Sequence, residues 1–123
     1  IRGATTVATN DADSILAATR ELLQEIVSAN DISTEDLAAV FFTMTDDLDA
    51  AFPARAAREL GWLQVPLFDA CEIPVPGSLP RCIRALLLWN TETPQSEIAH
   101  IYLREAQALR PDLSLAQSSQ EAR

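Results

Sequence analysis

The spacing of hydrophobic and polar residues predicts the elements of the first part of the chain. The opening stretch, IRGATTV, alternates and is rich in β-branched side chains, which predicts a strand with Arg2 near its start. Asp11 and Asp13 are both candidates to cap a following helix, which we predict to extend to about Ala29. Asn30 then suits the left-handed residue that ends a helix. The helix carries one apolar stripe, formed by Ile15, Leu16, Leu22, Leu23, Ile26 and Val27.

The middle of the chain contains two predicted strands with a short helix between them. The stretch LAAVFFTMT is almost continuously apolar, which predicts a buried central strand. A short helix follows from about Pro53 to Leu60, because proline suits a first helical turn and Gly61 suits the position just after a helix. The stretch LQVPLFDACEIPV predicts the next strand, and Pro66 indicates an edge position or an irregular start.

The last part of the chain begins with another predicted strand, RCIRALLLW. A final helix is predicted from Thr93 to about Leu109, since threonine and proline are typical of a helix start. The apolar face of this helix is formed by Ile98, Ile101 and Tyr102. We assign residues 1–113 to one domain and residues 114–123, which are mostly polar, to a mobile C-terminal tail.

The order of the predicted elements, β-α-β-α-β-β-α, indicates the fold class. It predicts an α+β fold, in which helices pack on one face of a mixed β-sheet. A chain of 123 residues leaves the other face poorly covered. Because a sheet with an exposed apolar face can bury it against copies of itself, we expect a symmetric homo-oligomer.

Charge and composition exclude several kinds of partner. The formal net charge of -9 argues against nucleic acid, because backbone phosphates require clustered positive charge. The apolar runs are far shorter than the roughly 20 residues that span a bilayer, and no basic and apolar leader precedes them. We therefore expect a cytoplasmic protein with no membrane partner, whose Cys71 and Cys82 both stay reduced.

All nine basic residues are arginines. A genome bias explains this most simply, but guanidinium groups also hold carboxylates through two parallel hydrogen bonds, which suits a small anionic ligand. Arg84 interrupts an apolar strand, where an unpaired charge is costly. It is either a sheet-edge arginine whose guanidinium reaches water or a functional cation. Arg55 and Arg58, three residues apart, can likewise share a solvated or a functional helix face.

Most catalytic chemistry has no matching residues in the sequence. The single histidine, His100, has polar neighbours, and no His, Cys and carboxylate cluster has the spacing of a metal site. The sequence has neither a glycine-rich phosphate loop nor the motif of a covalent nucleophile. Arginines, one tyrosine and carboxylates remain, and they can bind an anion and stabilise charge that develops during a reaction. We expect no cofactor.

Four stretches resemble the Bacillus-type monofunctional chorismate mutases: IRGATTV, AFPARAAREL, VPLFDACEIPVPGSLPRCIR and IAHIYLREAQALRPDLS. The resemblance extends from Ile1 to about Ser114. It implies a homotrimer with a barrel-like core and active sites in the clefts between subunits. The reaction it implies is the cofactor-free Claisen rearrangement of chorismate to prephenate, which leads to phenylalanine and tyrosine.

The resemblance also implies four catalytic residues. Arg84 is expected to reach the ether oxygen of the breaking C–O bond, where negative charge grows in the transition state. Glu72 is expected to bind the ring hydroxyl and balance Arg84. Arg2 and Tyr102 are expected to hold substrate carboxylates.

A second group of residues is implied to bind the substrate: Phe52, Arg55, Arg58, Leu67, Phe68, Asp69, Leu109 and Arg110. Phe52 and Arg58 are expected to come from the adjacent subunit. The last two members belong to a C-terminal segment that folds over the mouth of the cleft. Asp69 departs from the family, which has a cysteine or a small polar residue there, and a second carboxylate repels a dianion. Arg55 replaces a familiar lysine.

Two other functions compete with this prediction. A trimeric imine or enamine hydrolase shares a barrel-like trimer with an interfacial arginine, but the glycine-rich signatures that we expect of it are absent. A non-catalytic binding module for small aromatic carboxylates would use the same pocket. The sequence leaves the binding module open, because binding and catalysis use the same residues.

Overall fold

The computed structural model describes residues 1–111, so the predicted tail, 114–123, lies outside the described residues. Two α-helices and five strands form its regular structure. They are β1 (Arg2–Thr6), α1 (Ala12–Asn30), β2 (Leu37–Met44), α2 (Ala54–Glu59), β3 (Leu67–Cys71), β4 (Cys82–Trp89) and β5 (Ile101–Tyr102). Short 3-10 turns lie at Thr34–Asp36, Gln95–Glu97 and Arg104–Leu109. The predicted elements are confirmed as far as Trp89.

The strands form one mixed sheet in the order β3-β2-β4-β1-β5. β2 pairs with β3 and β1 with β5 in parallel, whereas β4 is antiparallel to both of its neighbours. The predicted α+β class and mixed sheet are therefore confirmed. β3 lies at an edge, as Pro66 indicated. Arg84 lies in the central strand β4, so its interpretation as a sheet-edge arginine is wrong.

The two faces of the sheet differ in what covers them. Both helices pack on one face in a core that includes Leu22, Leu23, Ile26, Val40, Phe42, Ala85 and Leu87. On the other face, which we call the open face, alternate residues of β2, β3 and β4 point outward, and large apolar side chains are exposed there: Phe41, Phe68, Leu86 and Leu88. The 3-10 turn Arg104–Leu109 covers only the end of this face at β1 and β5, through Ala106.

α1 begins and ends through specific side chains. The Asp11 carboxylate caps it by accepting a hydrogen bond from the Ser14 N–H at 2.7 Å. The left-handed residue at its other end is Asp31, with φ 53°, and not Asn30 as predicted. Asn30 stays helical, and its amide group forms two hydrogen bonds with the backbone of Ala99, each 2.9 Å long.

The predicted final helix, Thr93–Leu109, is wrong. In its place are a 3-10 turn, the two-residue strand β5 and a second 3-10 turn. Ile101 joins the core beneath the helices, whereas Tyr102 packs on the opposite side of the sheet with Ala4 and Ala106. Neighbouring side chains point to opposite sides only in extended backbone, and Arg104, with φ 53°, prevents a continuous helix.

Candidate active site

Arg84 and Glu72 form an ion pair on the open face. Arg84 Nε lies 3.3 Å from Glu72 Oε1, and the side chains are 48% and 25% exposed. Glu72 directly follows β3, and its backbone N–H donates to the Met44 carbonyl at 2.8 Å. Burial raises the pKa of the nearby Cys82 thiol, and the charge of Arg84 opposes this shift. The charge in the apolar strand is thus paired, and about half of its side chain remains accessible to a ligand.

Thr43 fixes the carboxylate of this pair. It lies opposite Arg84 in the β2–β4 register, so both side chains share the open face. Its hydroxyl donates a hydrogen bond to Glu72 Oε2, while Oε1 faces Arg84. Thr43 was not among the site residues predicted from the sequence. The sequence did contain a signal for this residue. Thr43 is polar, and it occupies one of the alternate positions of β2 whose side chains point away from the helices.

Arg2 and Tyr102 lie on the same side of the sheet as Arg84. Arg2 is paired with Leu86, and Ala4 is paired with both Arg84 and Tyr102, so these side chains share one face. Arg2 is exposed, whereas Tyr102 is 8% exposed. Leu109 packs on the cluster that contains Tyr102, so the predicted C-terminal segment adjoins a predicted catalytic residue.

His100 contacts the backbone of Arg2. Its Nδ1 accepts a hydrogen bond from the Arg2 N–H at 2.9 Å. Burial first, and then the nearby charges of Arg2, the α-amino group and Arg110, lower the pKa of His100 to about 4. The imidazole is therefore neutral at pH 7 and remains a hydrogen-bond acceptor. Sequence spacing assigned no function to this histidine.

The predicted residues around α2 form a separate group. Phe52, just before the helix, is 69% exposed. Arg55 Nε lies 3.0 Å from Glu59 Oε1, and Arg58 is the basic residue of the last helical turn. Asp69 Oδ1 accepts a hydrogen bond from the N–H of Ala54, the first residue of α2, at 3.1 Å.

The carboxylate of Asp69 points toward the helices. Asp69 is paired with Phe42, which is fully buried in the core beneath the helices, so its side chain lies on the covered face. Burial raises the pKa of Asp69, against the smaller lowering effects of the Ala54 N–H and the Arg58 charge. The carboxylate is thus turned toward α2 and Arg58, and not toward Arg84.

The two predicted pocket residues of β3 point to opposite faces. Phe68 is 60% exposed on the open face, and its ring centroid lies 6.1 Å from that of Phe41. Leu67 is half-buried against the core beneath the helices. The structure thus brings together Arg84, Glu72, Arg2 and Tyr102 on one side of the sheet, and keeps the α2 group apart from them.

The part of the chain that the structure describes contains neither a metal-binding cluster nor a membrane-spanning helix. Within residues 1–111, no three side chains among His, Cys, Asp and Glu are grouped so that they could hold a metal ion. In the same part of the chain, no helix combines the length and hydrophobicity of a membrane-spanning segment. Cys71 and Cys82 are free thiols.

Comparison with known proteins identifies the family. The family model described as chorismate mutase type I matches residues 1–113. The chain belongs to the type I chorismate mutase family. As a chorismate mutase it is an intramolecular isomerase of aromatic amino acid biosynthesis. Neither the hydrolase nor the non-catalytic binding module is favoured.

Similar chorismate mutases cover almost the whole chain. Chorismate mutase AroH of Thermus thermophilus is 60% identical over 118 residues, which are 95% of this chain and 97% of the relative. Chorismate mutase AroH of Bacillus subtilis is 43% identical over 121 residues, 98% of this chain and 95% of the relative. The solved structure of a chorismate mutase from Clostridium thermocellum has a TM-score of 0.87 at 48% identity, and the match covers 88% of this chain and 96% of that one.

Proposed function

We propose that this chorismate mutase converts chorismate to prephenate in clefts between the subunits of a homotrimer, with Arg84 as the main catalytic group. The observation that carries the proposal is the position of Arg84. A cation lies in the centre of an apolar sheet, paired with one carboxylate and still 48% exposed toward the open face. The fixed charge of such a group can act on a ligand that covers that face.

The rearrangement needs charge stabilisation more than proton transfer. One C–O ether bond breaks while a C–C bond forms within the same molecule, and negative charge grows on the ether oxygen. A guanidinium that is already oriented at this oxygen stabilises the transition state more than the substrate. Glu72 supports this role, because its contact with Arg84 Nε fixes the direction of the guanidinium.

The remaining residues of the open face suit the two carboxylates of the substrate. Arg2 supplies a second cation, and Tyr102 supplies a hydroxyl donor on the same side of the sheet. Leu109 ends the 3-10 turn that follows β5 and packs on the cluster that contains Tyr102, so Leu109 and the next residue, Arg110, are placed to cover this side of the ligand. Holding a flexible dianion by both carboxylates restrains it in a reactive conformation, which lowers the entropic barrier.

Two observations support the contribution of a second subunit. The α2 group, with Phe52, Arg55 and Arg58, is separate from Arg84 within one chain. The open face also carries Phe41 and Phe68, exposed by 40% and 60%, and such apolar patches mark contacts between proteins. In a trimer, α2 and the adjoining end of β3 from one subunit complete the cleft that Arg84 of the next subunit begins. In this arrangement the β3 segment of Leu67, Phe68 and Asp69 borders the cleft, with the Asp69 carboxylate turned toward α2.

The groove beside Glu72 within one chain does not offer an alternative site. It is lined by Asp46, Asp47 and the proline-rich loop 73–80, and among residues 1–111 no cation lines it. Such a groove repels a dianionic ligand. We also place the reaction in the cytoplasm, where thiols such as those of Cys71 and Cys82 remain reduced.

The first test is turnover and assembly. The purified protein should consume chorismate, followed by its absorbance, and accumulate prephenate, and it should sediment as a trimer at micromolar concentration. A monomer that turns over chorismate at the full rate would contradict the interface site. Absence of prephenate would contradict the activity itself.

Mixed trimers give a sharper test of the shared site. Arg84→Ala and Arg58→Ala chains are each expected to be nearly inactive, but random mixing should restore about a quarter of the sites, because some clefts combine an intact Arg84 with an intact Arg58. A mixture of Arg84→Ala with Glu72→Ala is the matched control, since both residues come from one subunit and no intact cleft can form. Equal recovery in both mixtures, or in neither, would refute the arrangement.

A further inference from the structure

The start of β1 is hydrogen-bonded on both sides. On the β4 side, the Ile1 amine donates to the Leu87 carbonyl at 2.7 Å, and the Leu87 N–H donates to the Ile1 carbonyl at 2.8 Å. Backbone groups of successive strand residues point in opposite directions, so the N–H of Arg2 points toward β5. It meets a side chain there, His100 Nδ1, at 2.9 Å.

The backbone carbonyl of Ala99, the residue before His100, already accepts a hydrogen bond from another part of the chain. The Ala99 carbonyl accepts from Asn30 Nδ2, and the Ala99 N–H donates to Asn30 Oδ1, each at 2.9 Å. The end of α1 thus binds both backbone groups of Ala99. The imidazole of His100 supplies the acceptor for Arg2 in this region, over a separation of 98 residues in the chain.

We propose that His100 is a positioning residue for the chorismate mutase reaction, because its bond to the Arg2 N–H holds the start of β1 and thereby orients the Arg2 guanidinium toward the substrate. The proposal rests on the role of Arg2 as a carboxylate-binding residue. His100 does not touch the reacting atoms in this proposal. It acts through the backbone of the residue that binds the substrate.

The charges around His100 favour the required protonation state. The guanidinium groups that act on it are those of Arg2 and Arg110, and both are cationic. They oppose protonation of the ring, as does its partial burial. Because Nδ1 accepts a hydrogen bond, the neutral ring carries its proton on Nε2.

Kinetics of two variants test the positioning role. His100→Leu removes the acceptor, and KM for chorismate should rise about tenfold while kcat changes by less than about threefold, since a ground-state contact to a carboxylate is weakened. His100→Asn places an amide oxygen near the position of Nδ1 and should restore most of the loss. An unchanged KM in a folded His100→Leu trimer, or no rescue by asparagine, would overturn the proposal.

A double-mutant cycle tests whether His100 acts through Arg2. In an Arg2→Ala background, His100→Leu should have almost no further effect on kcat/KM, because the group that it positions is gone. If the two effects multiply, His100 acts by another route and the proposal fails. Circular dichroism and sedimentation of each variant show whether the fold and the trimer are intact.

Nitrogen-15 NMR of the imidazole separates this proposal from the role of Arg2. The proposal expects the Nε2–H tautomer at pH 7 and a change in the Arg2 amide signal in His100→Leu, whether or not chorismate is consumed. A fully active Arg2→Ala variant would refute the carboxylate-binding role, even if these signals show the hydrogen bond. The Nδ1–H tautomer would refute the bond itself.

Discussion

Arg84 and Glu72 face each other across the open face, with Nε 3.3 Å from Oε1. Because both side chains are partly exposed, such a pair contributes at most about 1 kcal/mol to stability. The pair is important because it sets the direction in which the guanidinium points. Thr43 and the Met44 carbonyl fix Glu72, and Glu72 fixes the guanidinium. A central strand thus presents an oriented cation on the face where we place the substrate.

Replacement of Arg84 by Lys tests the role of that cation. The Arg84→Lys variant keeps a positive charge but loses the planar guanidinium and its reach. We expect kcat to fall by about 100-fold or more while substrate affinity changes much less, because the contact is made chiefly in the transition state. Steady-state kinetics with chorismate measures both quantities.

Two further variants support the interpretation of Arg84. Citrulline, introduced by semisynthesis, keeps the shape without the charge and should lower kcat further. Arg20→Lys is the matched control, since Arg20 forms an exposed ion pair with Glu59 on the covered side and should leave kcat unchanged. Normal turnover in a folded Arg84→Lys trimer would leave Arg84 with no catalytic role.

Replacement of Thr43, a residue that the sequence motifs did not indicate, tests the role of its hydrogen bond to Glu72. Thr43→Val removes the hydroxyl that donates to Glu72 Oε2, so the carboxylate can rotate and Arg84 loses its orientation. We expect kcat/KM to fall about tenfold, within the range for one misplaced catalytic contact. Thr43→Ser retains a hydroxyl and should recover most of the activity. Equal kinetics for the valine and serine variants would show that the hydrogen bond has no effect on catalysis.

Asp69 is predicted to stabilise α2. Asp69→Ala removes the acceptor of the Ala54 N–H and should lower the free energy of unfolding by about 1 kcal/mol, the usual cost of a lost helix cap. Asp69→Asn keeps an acceptor oxygen without the charge. Because burial raises the pKa of Asp69, ionisation of this carboxyl is less favourable in the folded than in the unfolded chain and costs stability at pH 7, so the asparagine variant should equal or exceed the wild type in stability. Urea unfolding compares all three proteins.

His100 is predicted to make stability depend on pH. Its folded pKa of about 4 lies below the ordinary 6.5, so the unfolded chain binds more protons between these values. Stability should therefore be unaffected by His100 above pH 6.5 and decrease as the pH falls from 6.5 toward 4. Other effects of acid on stability are shared by the wild type and a His100 variant. The informative quantity is thus the stability of the wild type relative to His100→Asn, which should shift in favour of the asparagine variant as the pH falls from 6.5 toward 4, and a constant difference would contradict this prediction.

Local patterns in the sequence determined most of the regular structure. Helical spacing and the Asp11 cap determined α1, and Pro53 and Gly61 bounded α2 to within one residue. Continuous apolar stretches determined β2 and β4. These elements were predictable because helix caps, the spacing of apolar residues and the positions of proline and glycine act on residues only a few positions away in the chain. Short motifs spread from Ile1 to about Ser114 also carried the resemblance to the family.

Only the tertiary structure decided which residues from distant parts of the chain lie in contact. The final predicted helix is replaced by a strand because Ile101 and Tyr102 enter two different clusters on opposite sides of the sheet. Only the strand order places Arg84 at the centre of the sheet, and only the register turns Asp69 toward α2. Thr43 meets Glu72 across 29 residues, and Arg2 meets His100 across 98. Such contacts leave no period in the sequence, because they depend on how distant segments pack against one core.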